Sequence, residues 1–191
     1  MTRIKGVPER EAGLLGRFAY RFSRRRFGKV AEPLRVTAHH PRLLSGYGAF
    51  ELALDRSRRV DDRLRTLAEV KVATTVGCEF CIDIGSALSR GSGVTEEQLR
   101  DLHAYAESGA FSPLEKLVLE YATRMTRTPA AVPDELFDAL RGRFDEAQLV
   151  ELTAAIAWEN YRARFNQAFG MDPQGFSEGS YCPRPGARVR G

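Results

Sequence analysis

Apolar residues recur at helical spacing through most of the chain, and no segment shows the alternation that is typical of a strand. Recurrence every three to four residues places apolar side chains on one face of a helix. The pattern predicts helices at about 10–27, 43–54, 59–76, 79–90, 95–107, 113–126, 134–142 and 146–169. Because the connections between them are short, we expect neighbouring helices to pack antiparallel in an all-α bundle.

Residues typical of helix ends mark several of these boundaries. Thr95 and Asp145 each stand three residues before a glutamine, which is the spacing of a capping box. Ser112 is followed by Pro113, a residue favoured in the first helical turn. The clearest apolar stripe lies in the last helix and consists of aromatic residues: Trp158, Tyr161, Phe165 and Phe169. We interpret this stripe, and Trp158 in particular, as a packing surface and not as a cofactor site.

Length and composition narrow the class of protein. A chain of 191 residues can bury a core as one domain, and three cysteines cannot form a disulfide-rich framework. The longest apolar run, 154–158, is too short to span a bilayer, and the N-terminal residues lack the apolar segment of a signal peptide. We therefore expect a cytoplasmic protein with no membrane partner.

Positive charge is concentrated at the N-terminus, where residues 1–30 carry nine Lys or Arg and two Glu, a net charge of +7. The predicted domain 1–191 thus comprises a basic arm 1–34, a core at about 35–170 and an irregular tail 171–191. In the arm, apolar residues at helical spacing form one stripe: Leu14, Leu15, Phe18 and Phe22. We expect this amphipathic helix to pack on the body or on a neighbouring subunit, and its charge alone does not indicate nucleic-acid binding.

Cys78 and Cys81 form a single C-x-x-C motif directly after Gly77. The glycine predicts a break between two helices, so that Cys78 begins the second helix and Cys81 lies one turn further on the same face. Unpaired N–H groups and the positive end of the helix dipole stabilise a thiolate at such a position. Because two sulfurs at this spacing can close a disulfide, the pair predicts redox chemistry that needs no cofactor.

Other uses of the two cysteines can be weighed. A c-type haem requires histidine directly after the second cysteine, where this chain has Ile82. A zinc site requires two further ligands, and the remaining candidates do not stand at zinc-finger spacing: Cys182, His39, His40 and His103. We therefore expect no metal, and two inert, half-buried cysteines remain as the alternative to a redox pair.

Two carboxylates near the motif are candidate catalytic residues. Glu69 lies in a helix that is apolar nearly all round, so burial should raise its pKa and suit it to accept a proton from a thiol. A surface ion pair or a subunit contact would explain Glu69 equally well. Asp83 is a lesser candidate because, two residues from Cys81, it points elsewhere on an ideal helix. The pair His39–His40 is more typical of a loop or a helix start than of an active site.

Over about 35–170 the chain resembles the carboxymuconolactone decarboxylase family, and most of all its alkyl hydroperoxide reductase D-like (AhpD-like) branch. The resemblance is carried by the segment LRTLAEVKVATTVGCEFCIDIGSALSR and by the GVTEEQL helix start after it. It implies an AhpD-like antiparallel helical bundle that assembles as a homo-oligomer, a trimer or a hexamer. It also implies that Cys81 attacks a hydroperoxide and Cys78 resolves, whereas the helix-dipole argument alone favours Cys78 as the sharper thiolate.

The chain departs from that branch at two positions. Four residues after the second cysteine the branch has a histidine of a proton relay, and this chain has Gly85. Twelve residues before the first cysteine the branch has a glutamate, and this chain has Thr66. Glu69 lies one turn further along and could offer a carboxylate from nearly the same face. Asp83 or a histidine from elsewhere could replace the missing relay member.

Together these observations predict a thiol-dependent oxidoreductase that reduces hydroperoxides through a dithiol–disulfide cycle. By resemblance, its reductant is a small dithiol or a lipoyl- or thioredoxin-like protein. Two alternatives stay open: a lyase of the carboxymuconolactone decarboxylase kind, and a non-enzymatic, redox-sensing oligomer.

Overall fold

A computed structural model of the chain describes residues 2–179, 181 and 183. Its helices are α1 Gly13–Phe27, α2 Glu32–Thr37, α3 Pro41–Arg56, α4 Asp62–Val76, α5 Glu79–Ser92, α6 Glu96–Asp101, α7 Pro113–Thr126, α8 Asp134–Arg141 and α9 Glu146–Ala168. Short 3-10 turns occupy Glu9–Glu11 and Leu102–Ala104. Because no strand occurs among these residues, the predicted all-α class is confirmed. Cys182 and the three C-terminal arginines (184, 188 and 190) lie outside the described residues.

Helix boundaries agree with the prediction where a cap marks them. Full capping boxes form at 95–98, 112–115 and 145–148, at the starts of α6, α7 and α9. Gly77 ends α4 in the left-handed conformation, with φ of 79°, which a residue with a Cβ rarely adopts. The break before the cysteine motif is therefore confirmed.

Two parts of the helix prediction are wrong. The six-residue helix α2 is missing from it, because one and a half turns, with Pro33 in the first, do not show a helical period. The helix predicted at 95–107 is shorter, since α6 ends at Asp101 and continues only as a 3-10 turn. His40 caps the start of α3, where its Nδ1 accepts a hydrogen bond of 3.3 Å from the Leu43 N–H, which agrees with its interpretation as a helix-start residue.

The basic helix α1 packs on the body through a face other than the predicted one. Its buried residues are Gly16, Tyr20 and Ser23, whereas Leu14 and Phe18 are 87% and 67% exposed. The Tyr20 hydroxyl donates to the carbonyl of residue 7 at 2.8 Å, and Ser23 bonds to the backbone of the loop after the helix. These polar anchors orient α1 on the body, as one of the two expectations for this helix holds, while its apolar stripe faces largely away from the body. Packing of the stripe on a neighbouring subunit stays a prediction.

Helix α4 lies at the centre of the core and contacts α5, α7 and α9. On one face, Ala68 and Val72 pack with α7 and α9 in the largest buried cluster. On a second face, Leu67 and Val70 pack with α6 and α7. The C-terminal turn of α4, through Ala73, packs against the cysteine motif. The packing thus fixes the helix that leads into the motif on all sides.

Candidate active site

The cysteine motif spans the turn between α4 and the first turn of α5. Cys78 is the N-cap of α5, and its Sγ accepts a hydrogen bond of 3.2 Å from the Cys81 N–H. The two cysteines are joined by a disulfide, with their Cα atoms 5.3 Å apart. The predicted placement of both sulfurs at a helix N-terminus is what the structure shows, so backbone N–H groups and the helix dipole favour a thiolate there.

A residue of α9 that sequence reasoning missed contacts both sulfurs. The Nδ2 of Asn166 lies 3.3 Å from the Cys81 Sγ and 4.0 Å from the Cys78 Sγ. Its side chain is buried, with only 3% of the residue exposed. Asn166 stands 85 residues beyond Cys81 in the sequence, so neither spacing nor a motif could have indicated it.

The sulfurs are buried beneath a small opening. Cys78 and Cys81 are 2% and 4% exposed. An open cavity of about 370 Å³ lies beside the motif, and its lining includes Cys78 but not Cys81: Gly77, Cys78, Glu79, Gln167, Gly170, Met171 and Asp172. The cavity gives a small molecule a route to the first cysteine of the pair.

The predicted candidate Asp83 is fully buried and holds the C-terminal segment 171–179 against α5. Its carboxylate accepts hydrogen bonds from the N–H groups of Gln174, Phe176 and Ser177 at 2.9–3.0 Å and from the Ser177 hydroxyl at 2.7 Å. Burial alone would raise the pKa of Asp83, but these hydrogen bonds lower it below its ordinary value. Phe176 packs edge-on against Phe80, next to Cys81. Asp83 therefore shapes the surroundings of the cysteine pair by holding this segment, and among the described residues it makes no hydrogen bond to either sulfur.

The predicted candidate Glu69 lies in a cluster of charges between α3, α4 and α9. Its carboxylate is 3.4 Å from the Arg162 guanidinium, which also ion-pairs with Glu51 at 3.1 Å and with Glu159 at 2.6 Å. We call these four residues the Arg162 cluster. Burial raises the pKa of Glu69, although the Arg162 charge opposes the shift. Glu69 makes no hydrogen bond to either sulfur among the described residues, and the structure thus places it in the ion pair that was its alternative interpretation.

No group of three or more His, Cys, Asp or Glu side chains is arranged to hold a metal ion within residues 2–179, 181 and 183. Over the same residues, no helix has the length and apolar character to cross a bilayer.

Comparison with known proteins shows which family has this arrangement of helices and cysteines. The model of the carboxymuconolactone decarboxylase family matches residues 41–124, which include both cysteines. The uncharacterized protein YnjA of Escherichia coli (strain K12) is 35% identical over 153 residues, 80% of this chain and 84% of that protein. The chain belongs to the carboxymuconolactone decarboxylase family.

Two solved structures of similar fold carry the names of redox proteins, a debrominase and a peroxidase-related protein. The debrominase Bmp8 superposes with a TM-score of 0.81 at 19% identity, over 92% of this chain and 94% of that one. An AhpD-core, peroxidase-related protein from Ralstonia eutropha JMP134 superposes with a TM-score of 0.76 at 19% identity, over the same shares of both chains. At these identities the likeness shows the fold alone, and the predicted AhpD-like fold is confirmed.

Within the family, the structure explains one of the two departures. A Cβ added at Gly85, where the AhpD-like branch has its histidine, would lie 3.0 Å from the Val70 side chain of α4. Helices α4 and α5 thus approach too closely there for a larger side chain without a shift. Thr66, at the place of the branch's glutamate, bonds its hydroxyl to the carbonyl of residue 62 at 2.7 Å. Neither position supplies an acid or a base.

Proposed function

We propose that this protein is a cofactor-free thiol oxidoreductase that reduces hydroperoxides through Cys78 and Cys81. The observation that carries the proposal is a closed Cys78–Cys81 disulfide at a helix N-terminus, beside an open cavity. A pair held in this way can pass between dithiol and disulfide without large movement of either helix, and thiolates at helix N-termini are activated nucleophiles.

The chemical steps balance with the two cysteines and one external dithiol. The Cys81 thiolate attacks the O–O bond, so that an S–O bond forms, the O–O bond breaks and the alkoxide leaves as the alcohol after taking a proton. The Cys78 thiol then displaces water from the sulfenic acid and closes the disulfide. A small dithiol, or a lipoyl- or thioredoxin-like protein, returns two electrons and two protons by thiol–disulfide exchange. The assignment of Cys81 as the attacking residue and Cys78 as the resolving residue follows the AhpD-like resemblance. The cavity lining and the N-cap position of Cys78 favour the reverse order, and the two single cysteine variants distinguish the two assignments.

The proposal is tested by hydroperoxide consumption with dithiothreitol as the reductant. We expect the wild type to consume an organic hydroperoxide catalytically and Cys81→Ser to be inactive. Cys78→Ser, reduced beforehand and assayed after removal of dithiothreitol, should consume about one equivalent and retain a Cys81 sulfenic acid. Cys182→Ser is the matched cysteine control and should retain the wild-type rate. Equal rates for the wild type and Cys81→Ser would remove the proposal, and a lyase reaction that survives both active-site substitutions would favour the decarboxylase alternative.

Reductive dehalogenation is a second candidate, because the debrominase Bmp8 shares the fold over 94% of its chain. A cysteine-to-alanine variant of Bmp8 has been solved in complex with 2,3,4-tribromopyrrole. A dithiol that closes to a disulfide supplies the two electrons that replace a C–Br bond by C–H with release of HBr. Incubation of the reduced protein with a bromopyrrole, followed by bromide release, distinguishes this reaction from peroxide reduction.

Glu69 and Asp83 have different proposed roles in this cycle. Burial raises the pKa of Glu69. Glu69 lies one helical turn before Ala73, which packs with Cys78 and Cys81. We propose Glu69 as a proton acceptor that reaches the cysteines through intervening water. We expect Glu69→Gln to lower the peroxide rate several-fold at pH 6–7, and an unchanged rate would assign Glu69 to the ion pair alone. Asp83 would act by holding the segment 171–179, and not by proton transfer.

Self-association belongs to the same proposal. The apolar side chains on the outer face of α1 are strongly exposed, at 87% for Leu14, 67% for Phe18 and 45% for Phe22. A row of exposed apolar side chains on one face of a helix is typical of a contact surface, and we propose that it packs against a second copy of this chain. We expect Phe18→Glu to lower the mass found by light scattering, with Phe137→Glu, an exposed apolar residue of α8, as the control. If the oxidised and reduced proteins differ in mass, the redox-sensing alternative gains support.

A further inference from the structure

Two hydrogen-bond donors from the described part of the chain reach the sulfurs. The Cys81 N–H donates to the Cys78 Sγ, and the Asn166 side-chain amide lies nearer to the Cys81 Sγ. The first donor belongs to the helix itself and is present at any helix start. The second comes from another helix, α9, and its position depends on a single side chain.

We propose that Asn166 holds Cys81 in its thiolate form when the pair is reduced, and thereby sets which sulfur reacts first. This inference rests on the proposed thiol chemistry and deepens it. A thiolate accepts hydrogen bonds and cannot donate them, so it favours the amide nitrogen, and not the amide oxygen, toward the sulfur. Since a hydrogen bond to the charged form lowers the pKa of a group, Asn166 favours ionisation of Cys81 over that of Cys78.

The surroundings make this donor important. Position 85 carries no side chain, and a Cβ there would lie 3.0 Å from the Val70 side chain, which would have to shift to admit it. Glu69 and Asp83 are engaged by Arg162 and by the segment 171–179. The neutral amide of Asn166, a residue that is 3% exposed, is then the polar side chain within hydrogen-bonding distance of the sulfurs. Because burial keeps bulk water from competing, this hydrogen bond is strengthened.

The backbone of Asn166 is held by contacts other than the disulfide. Asn166 lies near the C-terminal end of the 23-residue helix α9, and its backbone carbonyl accepts a hydrogen bond of 3.0 Å from the Met171 N–H. Ala163, one turn earlier, packs in the same cluster as the two cysteines. When the disulfide opens, α9 therefore keeps the amide beside the sulfurs.

The test measures the ionisation of one thiol at a time in the full-length chain. With Cys78 and Cys182 both changed to Ser, Cys81 is the single thiol, and its alkylation by iodoacetamide is followed by mass spectrometry from pH 4 to pH 10. We expect a midpoint below the free value of about 8.5. In this background Asn166→Ala should lower the alkylation rate at pH 6 about tenfold, since a lost hydrogen bond to a charged group shifts the pKa by about one unit.

Two further variants separate this role from a packing role. Asn166→Asp keeps the size of the side chain but places a carboxylate by the sulfur, so it should raise the Cys81 midpoint still further. Asn160→Ala removes another part-buried amide of α9, one that bonds to Thr126, and should leave the midpoint unchanged. Circular dichroism and thermal unfolding identify any variant that fails to fold, and Asn166→Asp then carries the test.

The outcomes are distinct from those of the proposed function. A Cys81 midpoint that is the same with and without Asn166 overturns the inference, even if the peroxidase assay succeeds. A midpoint shift found instead in the matched Cys78-only protein (Cys81 and Cys182 both changed to Ser) also overturns it. If the shift occurs at Cys81 and no hydroperoxide is consumed, Asn166 keeps its role and the oxidant is of another class.

Discussion

Asp83 and Glu69 are both carboxylates close to the cysteine pair, and the fold treats them in opposite ways. Asp83 receives four hydrogen bonds from the segment 171–179, which lower its pKa in spite of complete burial. Glu69 shares one guanidinium with two other carboxylates, and burial raises its pKa. Burial is thus common to both sites, and the number of donors aimed at each carboxylate decides the direction of the shift.

Asp83 is thus a structural anchor, whereas the Arg162 cluster contains a carboxylate that can bind and release a proton. A carboxylate with four donors stays charged over the whole physiological range, and it cannot exchange a proton during a reaction. The Arg162 cluster holds three carboxylates and one guanidinium, and Arg65 adds a further positive charge that acts on Glu69. Burial raises the pKa of Glu159 in this cluster to about 7, so that Glu159 can release or take up a proton near neutral pH.

The largest effect is expected at Arg162. Arg162→Met leaves three carboxylates without their shared counter-ion and should lower the free energy of unfolding at pH 8 by roughly 3 kcal/mol, a value reduced because the cluster is partly exposed. Without the arginine the pKa values of Glu69 and Glu159 rise further in the folded state, so the folded state binds more protons than the unfolded state. Stability of the variant should therefore recover as the pH falls from 8 to 5, as measured by urea unfolding.

Arg164 provides the control on the same helix. Its guanidinium is bonded to the backbone carbonyl of Thr126 at 2.9 Å and faces no carboxylate among the described residues. Arg164→Met should cost less than 1 kcal/mol at either pH. If Arg162→Met is equally destabilised at pH 5 and pH 8, loss of the arginine does not raise the pKa values of Glu69 and Glu159.

A smaller loss is expected at Asp83. Asp83→Asn keeps one acceptor oxygen and leaves part of the donor set of 171–179 unpaired, which should lower the free energy of unfolding by about 2 kcal/mol. Because the pKa of Asp83 is lowered, its contribution is present above the ordinary value of 3.8 and is lost only as the pH falls through the lower folded value. The deficit of the variant should then be the same at pH 8 and pH 5, unlike that of Arg162→Met.

Limited proteolysis gives the matching structural readout. Cleavage within 171–179 should become faster in Asp83→Asn, whereas Glu79→Gln, at an exposed carboxylate of the same helix, should leave it unchanged. Equal protection of the segment in both variants would show that Lys29 and Gln174, which bond it to the α1–α2 loop, are sufficient to hold it.

These contrasts also show what the sequence can predict. The Gly77 break placed both cysteines correctly, because a helix stop and a helix start are local properties of the chain. The raised pKa of Glu69 was predicted from its apolar helix, and the structure agrees. The partners of Asp83 and the contact of Asn166 were not predicted, since they join residues 85 to 94 positions apart. The face through which α1 contacts the body was not predicted for a related reason: Tyr20 and Ser23 make polar contacts that a pattern of hydrophobic residues does not reveal.

The smallest expected effect belongs to Glu159, and it tests whether the Arg162 cluster stores a proton. Burial raises the pKa of Glu159 to about 7, against the opposing charge of Arg162 and with help from Glu69 and Glu51. Tyr47, whose pKa is also raised by burial, faces the same cluster and stays neutral. Between its ordinary value of 4.5 and about 7 the folded state holds this proton and the unfolded state does not, so wild-type stability falls as the pH rises through this interval. Glu159→Gln keeps an acceptor for Arg162 and removes the titration. The difference in unfolding free energy between Glu159→Gln and the wild type should rise by on the order of 1 kcal/mol from pH 5 to pH 8. If the two proteins instead show parallel dependence on pH, Glu159 is ionised throughout, and Glu69 is the carboxylate of the cluster that binds the proton.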